Sequence, residues 1–264
     1  MNRAISILAI IFLLFANLSC NGVNTKRGST FLPREGYVFV KKHVNLKRCM
    51  GETCAQGSFR SVGSGFIVDI THEGSYVMTA SHVCWEDPSG YIEGTEVTSK
   101  MQVETLDGRE YDATVLKHDP NIDACLMYVE HLVAGIEKVI LATNKPREGD
   151  RVFNIASPYG IHYKNVVPIF EGRYAGQRGD RAFYTFPAAP GSSGSMILND
   201  KGELVGLLHS VFTRMNVIIV SVAFDDLMRF INLGIAEDKG SRQQQIERIT
   251  VPLGSNEMHM QVPY

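Results

Sequence analysis

From Tyr37 to Ala223 the chain is a succession of short apolar runs broken by glycine and by Asn/Asp turns. Strand-like runs fall at residues 37–40, 65–70, 76–79, 101–106, 109–116 and 125–129. Asp107-Gly108 marks a tight turn between the fourth and the returning fifth. A second set falls at 151–156, 166–170, 182–186, 195–198, 204–210 and 217–223. Many short strands with such turns predict an all-β sandwich or barrel architecture. Helical periodicity appears late, at 225–233, where Leu227, Phe230 and Ile231 share a face and Asp225 stands at the N-cap position.

Three segments carry chemistry. Pro190-Gly191-Ser192-Ser193-Gly194-Ser195 sets a serine between glycines just before the apolar run Met196-Ile197-Leu198. A serine nucleophile needs sharply bent backbone that can aim N–H groups at a developing oxyanion, and glycine permits that bend. Thr79-Ala80-Ser81-His82 places a histidine after a strand, and Asp119-Pro120-Asn121-Ile122-Asp123 places an aspartate ahead of another. The order His82, Asp123, Ser193 is that of the chymotrypsin arrangement.

These residues resemble the trypsin/chymotrypsin-like serine proteases, and within them the bacterial high-temperature-requirement and glutamyl-endopeptidase branch. Five segments match in the family's order. Gly63-Ser64-Gly65-Phe66-Ile67-Val68 resembles the GSGF strand, and Val77 to Val83 the TxxHV segment. Asp119 to Leu126 resembles DPxxDLAL. Gly149-Asp150-Arg151-Val152 with Ser157-Pro158-Tyr159-Gly160 resembles GDxVxxxGxPxG. Gly191 to Ser195 with Gly202-Glu203-Leu204-Val205-Gly206 resembles GNSGSP followed by GxVVG. Together they cover roughly residues 60–235.

The resemblance implies two six-stranded antiparallel β-barrels and a short C-terminal helix within a peptidase domain at 36–235. Barrel one lies at 36–130, barrel two at 149–223 and the helix at 225–233, leaving 236–264 as a C-terminal tail too short for a PDZ domain. It implies a serine endopeptidase working through an acyl-enzyme, with Ser193 as nucleophile, His82 as general base and acid, and Asp123 orienting the imidazole. It further implies an oxyanion hole formed by the N–H groups of Gly191 and Ser193. Asp119 is the rival carboxylate, but with Pro120 it reads as turn chemistry. Pro187 and His209 fall where the family builds its substrate pocket. Pro187 stands where trypsin-like members carry an aspartate, so a Lys/Arg preference is not expected. His209 lies near the histidine by which glutamyl endopeptidases receive an acidic side chain, or else packs by Asp123. Ser192, Met196 and Cys125 depart from the usual Asn/Asp, Pro and Leu/Ala. Two other uses of the same fold are a catalytically inactive binding module and a self-cleaving structural component.

The remaining features bound the setting. A net charge of -2 with signs mixed along the chain gives no reason to expect nucleic-acid binding. Neither a metal nor a cofactor is expected, since no CxxC pair is present. The expected partner is a protein or peptide substrate. Arg3 and the apolar residues 4–15 resemble the start of a signal peptide, shorter than the ~20 residues of a membrane span. Cys20 after Asn17-Leu18-Ser19 resembles a bacterial lipoprotein cleavage box, with Asn17 where leucine is preferred. Residues 1–20 thus read as a signal peptide or lipoprotein signal, and 21–35 as a tether. The protein is expected to be exported: periplasmic, secreted, or held at a membrane by a lipid on Cys20. Cys49, Cys54, Cys84 and Cys125 allow three pairings. Cys49 and Cys54 flank a small loop, the family fold brings the Cys84 and Cys125 stretches together, and buried free thiols are the alternative.

Overall fold

The computed structural model describes residues 31–212 and 215–250, with side chains to 244. The signal segment, Cys20, most of the tether and residues 251–264 lie outside the described residues. Strands β1 (Tyr37–Met50), β2 (Thr53–Ile70), β3 (Gly74–Thr79), β4 (Thr95–Thr105), β5 (Glu110–Asp119) and β6 (Ala124–Glu130) close a barrel in the order β1-β2-β3-β6-β5-β4. Strands β7 (Arg151–Ile155), β8 (Ile169–Arg178), β9 (Arg181–Thr185), β10 (Met196–Leu198), β11 (Leu204–Phe212) and β12 (Met215–Val222) close a second in the order β10-β11-β12-β9-β8-β7. Offset by six strands, the second order repeats the first, and the pairings are antiparallel throughout. This is the all-β, two-barrel architecture expected from the sequence.

Strands β3 and β6 are buried on both faces, except Glu130 at the end of β6. Their inner residues fill barrel one, and their outer residues meet barrel two and the C-terminal helix. One apolar core therefore runs from Phe66, Met78 and Leu126 through Phe153, Ile155 and Met196 to the helix. A second core, with Val152, Tyr184, Ile197 and Ile219, fills barrel two. Each such side chain contributes about 1.5–3 kcal/mol by leaving water, so the crevice between the barrels has fixed walls.

Several elements differ from the sequence reading. Strand β8 begins at Ile169 and runs to Arg178, so most of it lies beyond the expected 166–170. Strands β1 and β2 continue past the barrel as a ribbon whose tip carries Cys49 opposite Cys54. The ribbon's outer part is exposed on both faces, so it shows no alternation for a pattern to reveal. The helix, expected at 225–233, is α2 (Phe224–Thr250) and takes in the first part of the assigned tail. Leu227, Phe230 and Ile231 bury as predicted. Beyond them polar side chains hold the helix to barrel one: Tyr76 Oη donates to Asp238 at 2.9 Å, and Arg242 lies 3.9 Å from the Tyr128 ring centroid. Such anchors leave no apolar periodicity in the sequence.

Candidate active site

His82 lies on a single helical turn, α1 (Ser81–Cys84), immediately after β3. Asp123 ends the turn between β5 and β6, with φ at 53°, in the left-handed region that few non-glycine residues adopt. Its carboxylate accepts twice from one residue: Oδ1 from the His82 backbone N–H at 2.9 Å and Oδ2 from His82 Nδ1 at 2.8 Å. An ionised carboxylate only accepts, so Nδ1 carries the proton and Nε2 is left able to take one. The Cys84–Cys125 disulfide ties the two segments two residues beyond each of these side chains. Asp119, the last residue of β5, accepts from the Asn121 N–H at 2.9 Å, while the partner of the imidazole's Nδ1 is Asp123.

The Ser193 loop is clamped between the two barrels. Ser64 of β2 donates its N–H to Ser193 O at 2.8 Å, and Gly194 donates to Leu208 O of β11 at 2.7 Å. Both flanking glycines are required. Gly191 has φ 96°, and a Cβ there would lie 2.4 Å from Ser157 O. Gly194 has φ 84°, and a Cβ there would lie 2.2 Å from both Ser64 O and Thr79 Oγ1. The loop thus rests on the strand end that leads into α1. Ser64 Oγ bridges the barrels, donating to Gly191 O at 2.9 Å while accepting from the Ser157 N–H at 3.0 Å. Among the described residues, the N–H groups of Gly191 and Ser193 donate to no protein acceptor. Two unused donors beside a half-buried serine hydroxyl are what an oxyanion requires.

Pro187 is exposed just after β9, while His209 is buried on β11 with Nδ1 3.7 Å from Asp123 Oδ2. His209 therefore faces the carboxylate that holds His82. A cleft of 550 Å³ opens beside the pair, lined among others by Trp85, Pro120, Asn121, Arg181 and Ser210. A larger cleft of 1110 Å³, between residues 144–151 and 199–201, contains none of these groups.

Motif reading missed Lys42. Its side chain is 3% exposed, and Nζ donates to His82 O at 3.1 Å, Trp85 O at 2.8 Å and Glu86 Oε2 at 2.8 Å. It satisfies carbonyls that a one-turn helix leaves open at its C-terminal end. Only its place opposite α1 across β1 reveals this, since nothing in the neighbouring sequence distinguishes it from Lys41. Ser64 and Ser157 fell inside matched segments, but their bridging contacts are tertiary.

Two buried histidines predict an acid sensitivity. Burial holds the His209 imidazole below its ordinary value of 6.5, with Asp123 pulling the other way. Burial does the same to His162, against the opposing pull of Glu104. Below about pH 6.5 the unfolded chain binds protons that the folded one refuses, so stability falls as pH drops. Tm is expected to decline between pH 7 and 5, and His162→Gln should flatten that decline. An unchanged slope in the variant would remove His162 from the account.

The trypsin-like peptidase domain family matches residues 63–207, more than half of the chain. The chain belongs to this family. Among relatives of this trypsin-like chain, a probable periplasmic serine endoprotease DegP-like protein of Marinomonas sp. is 34% identical over 163 residues, covering 60% of this chain and 32% of that one. The periplasmic pH-dependent serine endoprotease DegQ of Escherichia coli is 26% identical over 154 residues, covering 56% of this chain and 31% of DegQ. The chain thus spans about a third of the length of these curated relatives. A solved serine endoprotease from Yersinia pestis shares the fold, with TM-score 0.54 and 20% identity over 74% of this chain and 63% of that one.

Proposed function

We propose that this trypsin-like chain is a serine endopeptidase in which Ser193, His82 and Asp123 act as one unit. The observation that carries the reading is the doubly held carboxylate: Asp123 takes both the backbone N–H and Nδ1–H of His82. That grip fixes the ring and its tautomer. His82 Nε2 then removes the Ser193 Oγ proton as the oxygen attacks a peptide carbonyl. The carbonyl oxygen, now negative, is received by the N–H groups of Gly191 and Ser193. The proton on Nε2 passes to the departing amine, leaving an acyl group on Ser193. Water, deprotonated by the same nitrogen, releases the acid and restores Oγ–H. The substrate class is protein or peptide, supported by the relatives' description as endoproteases.

A fluorophosphonate probe tests this without knowledge of the natural substrate. The wild type is expected to be labelled on Ser193, while Ser193→Ala and His82→Ala are not. Absence of wild-type labelling, or labelling that survives Ser193→Ala, defeats the assignment.

An exported setting fits the same reading. Two disulfides, Cys49–Cys54 and Cys84–Cys125, belong to an oxidising compartment, and the relatives are described as periplasmic. We further propose that Cys20 carries a lipid in a bacterial host. Cys20→Ser should then move the protein from the membrane fraction to the soluble one with its specific activity intact. Wild type found only in the soluble fraction would refute the tether.

A further inference from the structure

His209 sits where β11 leaves its regular ladder. Leu208 pairs with Ser221 and Ser210 with Val220, so His209 is the extra residue of a β-bulge and has no partner across β12. A bulge re-aims the side chain it carries. Here the imidazole meets the turn between β5 and β6, and Nδ1 comes within 3.7 Å of Asp123 Oδ2. The same oxygen holds His82 Nδ1 at 2.8 Å, so one carboxylate lies between two imidazoles. The backbone beside the bulge is fixed on the nucleophile loop: Leu208 O accepts from the Gly194 N–H, and the Leu208 N–H donates to Ser195 O. The charged groups that face His209 are Asp123, His82 of α1, Arg181 at the start of β9 and Asp180 in the turn before it. Asp123 and Asp180 favour a proton on the ring, and Arg181 and His82 oppose one. The ring is buried, but it lines the 550 Å³ cleft together with Glu86 and Asp87, which gives protons a path to it.

We propose that His209 is a positioning residue that governs the triad through Asp123, leaving the carboxylate to His82 while it is neutral and drawing on it when it binds a proton. This rests on the peptidase reading. An ionised carboxylate only accepts, so the neutral ring turns Nδ1–H toward Oδ2, and a proton taken from solvent in the cleft goes to Nε2. The new cation stands beside the negative charge that stabilises the His82 imidazolium formed during attack on the peptide. That charge is then shared between two cations, and His82 becomes a weaker base toward Ser193 Oγ. The consequence is an acid limb set by two protons. His82 must be unprotonated to act as a base, which by itself gives a one-proton limb. His209 adds the second proton below its ordinary value of 6.5, because burial holds the ring down against the pull of Asp123.

The pH profile of one fluorogenic peptide, taken from the bond cut fastest in a random peptide library, provides the test. Wild type and His209→Gln are compared from pH 8 down to the pH at which near-ultraviolet circular dichroism begins to change. The acid limb of log kcat/KM in the wild type is expected to steepen from a slope of about one toward two. His209→Gln should be several-fold slower at pH 8, through kcat rather than KM, and should keep a slope of about one. Its rate relative to wild type then rises roughly tenfold for each pH unit over which the second proton binds. A variant that had lost only packing would instead fall by the same factor at every pH. Histidine NMR reads the coupling without turnover. In Asp123→Asn the His209 resonances should titrate at lower pH than in wild type, because a charge that favours the proton is gone. Parallel acid limbs in wild type and His209→Gln overturn the proposal, and so does a His209 titration that Asp123→Asn leaves in place. A wild-type preference for glutamate ahead of the scissile bond, abolished by His209→Gln, assigns the ring to the substrate and overturns it as well. Failure of the wild type to cut the peptide at pH 8, or equal cutting by Ser193→Ala, would instead count against the peptidase reading.

Discussion

Asp123→Asn is expected to lower kcat by ~10⁴ with little change in Tm. The geometry says why one atom matters so much. The His82 backbone N–H demands an acceptor at Oδ1, at 2.9 Å. An asparagine must turn its carbonyl oxygen toward that N–H, which leaves its NH₂ facing Nδ1. Two donors cannot share that 2.8 Å contact, so the imidazole proton moves to Nε2. A protonated Nε2 cannot accept the Ser193 proton. The fold is indifferent, because the amide fills the same space and keeps the backbone contact. Asp119→Asn should cost little activity, since its carboxylate only caps a turn through the Asn121 N–H. Stopped-flow or steady-state turnover of a single peptide compares the two. If Asp119→Asn proves the worse variant, the carboxylate has been misassigned. Combining Asp123→Asn with Ser193→Ala should add little to Ser193→Ala alone, because residues that act as a unit do not contribute independently.

Lys42→Met should destabilise the protein by about 1–3 kcal/mol, the cost of leaving buried carbonyls without their donor. The Lys42 side chain is 3% exposed, and its ammonium serves two carbonyls and a carboxylate. Burial by itself would raise the Glu86 carboxyl, but hydrogen bonds from Lys42 and Tyr91 and the charge of Lys42 outweigh it and hold the group below the usual carboxylate range. With methionine in place, the carbonyls of His82 and Trp85 lose their donor together, Glu86 keeps only Tyr91, and α1 loosens. Activity should therefore fall in kcat more than in KM, because His82 moves while the substrate's contacts remain. Lys41→Met provides the contrast. Its pairs with Glu104 and Glu110 are solvent-accessible, with Lys41 24% exposed, and exposed pairs contribute about 0–1 kcal/mol. Urea unfolding of the two variants side by side would decide, and equal losses would mean that Lys42 is not the anchor described.

The two lysines show where reading along the chain stops. They are neighbours with the same chemistry, yet one is a surface charge and the other holds a catalytic turn in the proposed mechanism. The difference lies in which way β1 faces α1, a fact set by the closure of the barrel. His209 makes the same point. Sequence placed it either in a substrate pocket or beside Asp123, and the register of β11 brings its Nδ1 within 3.7 Å of Asp123. Ser64 and Ser157 bridge barrels across 93 residues, a distance that no local pattern encodes.

What the sequence determined by itself is local. Alternation and turn residues specify short strands, because a pleat exposes successive side chains to opposite faces. The glycines around Ser193 announce a bend that residues with a side chain rarely adopt. The order of His82, Asp123 and Ser193 marks the family. What only the tertiary structure decided depends on strands meeting across long separations. It set the double grip of Asp123 on His82, the buried role of Lys42 and the Cys84–Cys125 link. It also carried α2 past its apolar stripe to Thr250, with Asp238 and Arg242 meeting Tyr76 and Tyr128. Polar contacts of that kind leave no period in the chain. Their partners are chosen by where the barrels place Tyr76 and Tyr128, and that placement exists only once the core between the barrels has formed.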